Sequence, residues 1–434
     1  MSRPASAGLT IANATVPASV MGEPASGALR RVDVVIENGA IASISPAGSA
    51  PATGERVDAD SGLLLPCFVD MHTHLDKGHI WPRRPNPDGT WIGALRTVDT
   101  DRTDLWASAD VERRMEFALR CAYAHGTAAL RTHLDSTPPQ HEITWDVFER
   151  VRERWAGRIE LQAVSIISPD VMLDKAQLHA VATRSKAGGG MLGGAILSHP
   201  HSKEAMLAIV DKAGELGIDL DVHVDETLDP ASSSLLHLAE AVIETGFTGR
   251  VVAGHCCALA VQDEATQRRT IEKVAEAKIG IVSLPMCNLY LQDRDPAGAT
   301  TPIHRGVTLV RELAAAGVSV AFASDNTRDP FYAYGDLDCL EVFREAARIT
   351  HFDHPIETAW TWLRSVTASA SATCGFTHRA EIDTGAPADL LLFRARSWTE
   401  LLSRPQSDRV IFRGGARIEA TLPDYRELDD LMEA

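Results

Sequence analysis

The hydrophobic rhythm of the chain changes near residue 63. Before it, apolar and polar positions alternate in short runs such as RVDVVIENG and AIASISP, broken by Gly, Pro, Ser and Ala. A period of two with such breaks predicts the strands of a small antiparallel β-unit. From Leu63 onward, apolar runs of strand length alternate with amphipathic stretches of helical period. The strand candidates are LLLPCFVDMHT, TAALRTHLD, IELQAVSIIS, GGAILSHP, GIDLDVHVD, RVVAGHC, GIVSLPM and VSVAFASD, eight in all. Helical patterns such as AMLAIVDKAGELG and VTLVRELAAAG lie between most of them. Such an α/β alternation predicts a closed parallel (β/α)8 TIM barrel. An open doubly wound sheet would call for a Gly-rich turn after an early strand, and none is present. The glycines at 188–190, 193 and 194 precede a strand instead of opening a helix, so they read as a loop and not a phosphate cradle. After the eighth strand come helical stretches around 336–350 and 356–374, and then GAPADLLLF and SDRVIFRGGARIE return to strand character. The predicted organisation is a barrel over 63–377 and a small β-sandwich domain built from both chain ends, 1–62 and 378–434.

Polar residues interrupt the apolar runs at particular places. In FVDMHTH, His72 and His74 lie two positions apart at a strand end, so their rings project to one face. Two converging imidazoles make half of a metal site suited to zinc or iron. In a barrel the strand ends converge on one face, so the other half should lie on later strands. The second strand carries His133 and Asp135, the fifth His223 and Glu226, the sixth ends in His255, and Asp325 follows the eighth. A carboxylate where a buried strand meets its loop needs a partner, which a metal or histidine supplies. Singly, each of these has an ordinary structural explanation: a surface turn, a cap, a core histidine. Together they form a set rich in metal ligands and acid–base groups. His133 reads equally as packing or as a substrate contact, and His199, in SHPHS, as a substrate-loop residue because Pro200 favours a loop.

Charge and cysteine content narrow the function classes. With 42 basic against 59 acidic side chains the formal charge is −17, which argues against a general binder of nucleic acid or anionic membranes. Seven cysteines without a CxxC do not resemble a disulfide framework. No signal-peptide pattern and no apolar run of membrane-spanning length is evident, so a soluble, cytoplasmic enzyme is expected, with a homo-oligomer as its assembly.

The motifs FVDMHTHLDK, RTHLD, DVHVDE, VVAGH and FASDNTRDPF, taken as a set, resemble the amidohydrolase superfamily and within it the cytosine deaminase-like branch. HTHLDK and ASDNTRD also resemble the s-triazine aminohydrolases. The resemblance spans about residues 60–345, and GAPADLLLF resembles the family's C-terminal β-segment. It implies one divalent metal ion, zinc or iron, held by His72, His74, His223 and Asp325. It implies that Glu226 shuttles a proton to a ring nitrogen, that His255 polarises the attacking water or the developing anionic oxygen, and that Asp325 passes a proton to the leaving amine. No lysine stands at a barrel strand end to bridge two metals; Lys77 lies beyond the histidines. The expected activity is hydrolytic deamination of a small nitrogen heterocycle such as a cytosine-like aminopyrimidine. The alternatives are hydrolysis of a cyclic amide or of an s-triazine alkylamine at the same site, and a catalytically dead scaffold. Two departures bear on the ring that is read. Asn326 stands where cytosine deaminases carry a second aspartate, and Ile167, Ser168 and Asp170 replace a pyrimidine-reading glutamine. Candidate substrate contacts are Trp81, Trp91, His133, Ile167, Asp170, His199 and the segment from Asn326 to Asp329. The long loop from Gly78 to about Asp104 is expected to act as a lid or an interface element.

Overall fold

A computed structural model describes residues 8–51 and 54–433. Its strands, in chain order, are β1 (Leu9–Pro17), β2 (Leu29–Glu37), β3 (Ala40–Pro46), β4 (Glu55–Asp58), β5 (Leu64–Pro66) and β6 (Phe68–Thr73). There follow β7 (Thr127–Asp135), β8 (Glu160–Ile166), β9 (Met191–Ile196), β10 (Leu220–Val224), β11 (Val251–His255), β12 (Gly280–Ser283) and β13 (Val320–Phe322). The last are β14 (Leu390–Leu392), β15 (Val410–Arg413) and β16 (Ala416–Arg417). Strands β6 to β13 form one eight-stranded sheet in sequential order with helices between them, which is the expected (β/α)8 barrel. Thr73 and Asp325 form a parallel bridge between its two ends, and the Asp325 N–H donates to the His72 carbonyl at 2.9 Å. The residues that close the barrel are therefore neighbours of, or members of, the predicted site.

Two compact units partition the chain. One comprises Met1–Val69, Ala122–Ala129 and Asp338–Leu422; the other Asp70–Cys121, Leu130–Leu337 and Pro423–Ala434. Within the first, two four-stranded sheets, ordered β3-β2-β1-β4 and β16-β15-β14-β5, are joined by bridges Thr15↔Leu63 and Ala40↔Pro387. The run read as a single strand from Leu63 to Thr73 is two strands serving two sheets. Pro66 has no N–H to continue a ladder. After it the Cys67 N–H bonds the Asp389 carbonyl, while the next N–H, of Phe68, bonds the Gly126 carbonyl, both at 3.0 Å. Hydropathy is continuous through this switch because both strands are buried.

The barrel helices follow local rules. Ser202–Leu216 and Ser234–Thr245 each stop at a left-handed glycine, Gly217 (φ 66°) and Gly246 (φ 63°), the conformation that favours Gly at a helix C-terminus. No helix among the described residues is long and apolar enough to cross a membrane. All seven cysteines are buried and unpaired, in keeping with their reading as small apolar residues.

Below the strand ends the barrel interior is polar, which hydropathy did not suggest. Arg131 on β7 donates to Asp221 Oδ2 on β10 at 2.7 Å and to Gln162 Oε1 on β8 at 3.0 and 2.7 Å. These residues alternate with His133 and His223 at a spacing of two, so the ion pair forms the floor under the histidines. Burial pushes the Asp221 carboxyl up to about 6 while Arg131 pulls it down. Replacing Arg131 by Met leaves this carboxylate buried without a cation and is expected to cost about 3–5 kcal/mol. The double variant Arg131→Met/Asp221→Leu should recover most of that loss in a thermal or denaturant melt.

Candidate active site

Each predicted side chain reaches the site through strand periodicity and then a forced turn. Asp70 and His72 alternate along β6 with His74 just beyond it, and His133 and His223 occupy equivalent positions on β7 and β10. His255 is the last residue of β11, and Asp325 lies three residues after β13. At these strand ends the backbone adopts the left-handed region at non-glycine residues: Asp225 (φ 53°), His255 (φ 68°), Cys256 (φ 54°) and Asp325 (φ 64°). Such strain costs about 1–3 kcal/mol per residue and persists where the surrounding structure imposes it, typically at functional sites.

The rings of His72, His74 and His223 converge. Their Nε2 atoms lie 3.0 Å (His72 to His223) and 3.2 Å (His223 to His74) apart. Asp325 Oδ1 sits 3.3 Å from His74 Nε2 and 3.7 Å from His72 Nε2. Four donors about 2.1 Å from a tetrahedral cation stand about 3.4 Å from one another, so these separations are those of a metal cage. The chemistry agrees. Both Asp325 oxygens lack a hydrogen-bond donor among the described residues, although the side chain is fully buried. A buried carboxylate without a partner is costly, and a cation resolves the cost. Burial pushes all three imidazoles well below 6.5, so they are neutral and able to ligate. His133 stacks on His72 with centroids 4.0 Å apart and lies 3.7 Å from Asp221 Oδ1. His72, His133 and His223 form one compact donor group, and His72, His255 and Asp325 another, so the cation position is flanked by further imidazoles on two sides.

Glu226 hangs beside this cluster, 5% exposed. Its Oε2 accepts from Trp91 Nε1 at 2.7 Å, and its Oε1 lies 3.3 Å from both Asn288 Nδ2 and His255 Nδ1. Burial first and the Asp325 carboxylate second push its carboxyl up to about 8. It therefore keeps a proton at neutral pH in a place where a carboxyl would ordinarily be ionised. Burial pushes His255 down to about 3, so this ring is neutral. Lys77, set aside in the sequence as a loop residue, is buried with Nζ 4.8 Å from the Phe331 ring centroid, and its charge acts on His74, Glu226 and Asp325.

The other expected contacts divide. Asn326 is buried beside Asp325, but its amide donates to Asp329 Oδ2 at 2.7 Å within its own loop. Ile167 is buried with its carbonyl bonded to the Ala195 N–H, and Asp170 is exposed in the helix Pro169–Leu173. His199 accepts from the His201 N–H in an outer loop, and Trp81 is half-buried with its own N–H on the Arg328 carbonyl. None of these four makes a hydrogen bond, ion pair or ring contact with the histidine cluster among the described residues. Of the two tryptophans in the long loop, the structure brings Trp91 to Glu226. The loop is a built wall: Asn86 bonds the Thr90 and Pro330 carbonyls, and the helix Trp91–Leu105 begins at Thr90, whose hydroxyl accepts from the Gly93 N–H. Asn288 was missed. It follows the seventh barrel strand in PMCNLYL, so asking which polar residue stands at every strand end would have found it.

Comparison with known proteins places this geometry. Residues 119–414 match the family model described as the amidohydrolase family. Along its whole length the chain is 53% identical to a pterin deaminase of Rhizobium rhizogenes, over 437 aligned residues that cover 99% of that protein. Among solved structures it is similar to the 5-methylcytosine deaminase of Klebsiella pneumoniae liganded with 5-fluorocytosine. The TM-score is 0.82 at 25% identity, covering 94% of this chain and 97% of the other. The N-isopropylammelide isopropylaminohydrolase of Burkholderia multivorans shares the fold, with TM-score 0.76 at 23% identity over 95% of this chain and 98% of the other. The chain belongs to the amidohydrolase family.

Proposed function

We propose that this protein is a metal-dependent hydrolytic deaminase of amino-substituted nitrogen heterocycles, with a pterin as its substrate. One observation carries the chemistry: a buried, proton-retaining Glu226 leaning over three converging imidazoles and a carboxylate that has no donor. The full-length identity to a pterin deaminase supports the choice of ring. The amino group of a pterin sits on an amidine carbon between two ring nitrogens, the same chemical unit as in an aminopyrimidine.

His72, His74, His223 and Asp325 would hold one divalent cation, zinc or iron. When bound, it supplies the Lewis acid that makes a water nucleophilic at neutral pH. The rest is done by side chains. Glu226 delivers a proton to the ring nitrogen next to the amidine carbon as the water oxygen adds to that carbon. His255, neutral, donates a hydrogen bond to the oxygen as negative charge develops on it. Asp325 takes a proton from the water and passes it to the amine. The carbon–nitrogen bond then breaks, releasing ammonia and leaving a carbonyl in place of the amino group. One water is consumed for each ammonia released. A cyclic amide would give Glu226 no ring nitrogen to protonate, so its elaborate surroundings favour deamination.

The second reading is a monocyclic, cytosine-like substrate, favoured by the likeness to the liganded 5-methylcytosine deaminase. Ammonia release from pterins, cytosine, 5-methylcytosine and aminotriazines separates the two: kcat/KM should be highest for a pterin, and turnover confined to monocyclic rings would overturn the choice. Glu226→Gln should keep its metal by elemental analysis yet lose about a hundred- to ten-thousandfold in kcat. Because the protonated form of Glu226 is the active one and its carboxyl titrates at about 8, kcat/KM should be level at neutral pH. Above about pH 8 it should fall tenfold per unit. Removing the metal with a chelator should abolish turnover and lower the Tm, since a ligand bound only by the folded state stabilises it.

A further inference from the structure

A proton carrier must present one oxygen in one direction, and a free carboxyl on a loop does not. Glu226 is buried but sits beyond the end of β10, after Asp225 with its positive φ. Its backbone is held by Gln292, whose amide donates to the Glu226 carbonyl at 3.4 Å. Its two oxygens meet different partners. An indole N–H only donates, so Oε2, 2.7 Å from Trp91 Nε1, is committed as an acceptor. The exchangeable proton therefore belongs on Oε1. That oxygen faces Asn288 Nδ2 and His255 Nδ1, each at 3.3 Å. Asn288 Nδ2 is also 3.0 Å from His255 Nδ1. A primary amide has two hydrogens, so it can serve both neighbours at once. An amide hydrogen donated to Nδ1 makes that nitrogen an acceptor and places the ring proton of the neutral His255 on Nε2.

Both partners are themselves fixed. Trp91 opens the helix Trp91–Leu105, its ring packs edge-on against Phe331 with centroids 5.7 Å apart, and Asn86 ties the preceding turn to the Pro330 carbonyl at 3.0 Å. Asn288 is 1% exposed in the helix Pro285–Leu291. Walls from two distant parts of the barrel thus meet on one carboxyl group.

We propose that Trp91 and Asn288 are the positioning residues of Glu226: the indole pins Oε2 so that proton transfer runs through Oε1 alone, and the amide holds Oε1 beside a His255 ring kept in its Nε2–H tautomer. This rests on the reading of Glu226 as the proton carrier. It extends that reading by naming which oxygen works and what orients it. The Trp91 hydrogen bond also favours the ionised carboxylate and so pulls the Glu226 carboxyl down against the effect of burial.

Trp91→Phe removes the N–H and keeps an aromatic ring against Phe331. In the metal-loaded enzyme, kcat should fall about tenfold or more, as for loss of a hydrogen bond to a charged group, with KM, metal content and Tm nearly unchanged. The alkaline limb of the kcat/KM profile should move to higher pH. Asn288→Leu should likewise lower kcat at constant metal content. In a Glu226→Gln background, neither substitution should cost more than about twofold further, because both act through the same carboxyl. A loss confined to KM with the limb unmoved would make Trp91 a substrate-stacking residue and overturn the proposal. Equal losses in the native and Glu226→Gln backgrounds would overturn it too. Near-normal kcat in Glu226→Gln itself would instead remove Glu226 from the mechanism, a different failure that the single variant identifies.

Discussion

Desolvation governs this molecule's centre. The barrel mouth buries His72, His74, His133, His223 and His255 together with Asp325 and Glu226, all within a region from which bulk water is excluded. In such surroundings imidazoles are neutral and carboxyls resist ionisation, as the directions of their shifts show. A cluster of neutral nitrogen donors around a carboxylate without a hydrogen-bond donor is unstable unless a cation completes it. The same dryness gives Glu226 a proton to deliver at neutral pH. Metal affinity and acid catalysis are thus two consequences of one burial.

The fold bears this cost through rigid construction. The Arg131–Asp221 ion pair, with Gln162 on the guanidinium, supplies a charged floor whose partners come from three strands. The strained backbone at Asp225, His255, Cys256 and Asp325 aims side chains inward where a relaxed loop would turn them away. Ligation and barrel closure are also joined, since Asp325 bonds through its N–H to the carbonyl of His72. A change in the strand pairing between β6 and β13 would therefore move two candidate ligands at once.

Walls built by loops decide what the site can do beyond holding a cation. The segment from Gly78 to Leu105 is long for a barrel loop, and its residues are tied to the segment after β13 through His79, Trp81 and Asn86. It carries Trp91 to Glu226, while the helix after β12 carries Asn288 to the same group. Lys77 adds a buried positive charge against Phe331. Aromatic faces and a cation beside a proton-carrying acid suit a flat, electron-rich heterocycle with acceptor atoms.

Sequence alone determined the elements and the candidate ligands, because both depend on local periodicity. Alternating strands and helices dictated the barrel, and a spacing of two put His72 and His74 on one face. It could not divide Leu63–Thr73 between two sheets, since a buried strand reads the same whichever neighbour it pairs with. It could not separate Trp91 from Trp81, nor single out Asn288, because their partners lie 135 and 62 residues away in the chain. The positions of Asp170 and Ile167 were likewise settled only when the third strand's loop turned into the helix Pro169–Leu173. Periodicity fixes the face on which a side chain stands; which distant group it meets depends on how the barrel closes and how its loops pack, and that is a property of the folded chain as a whole.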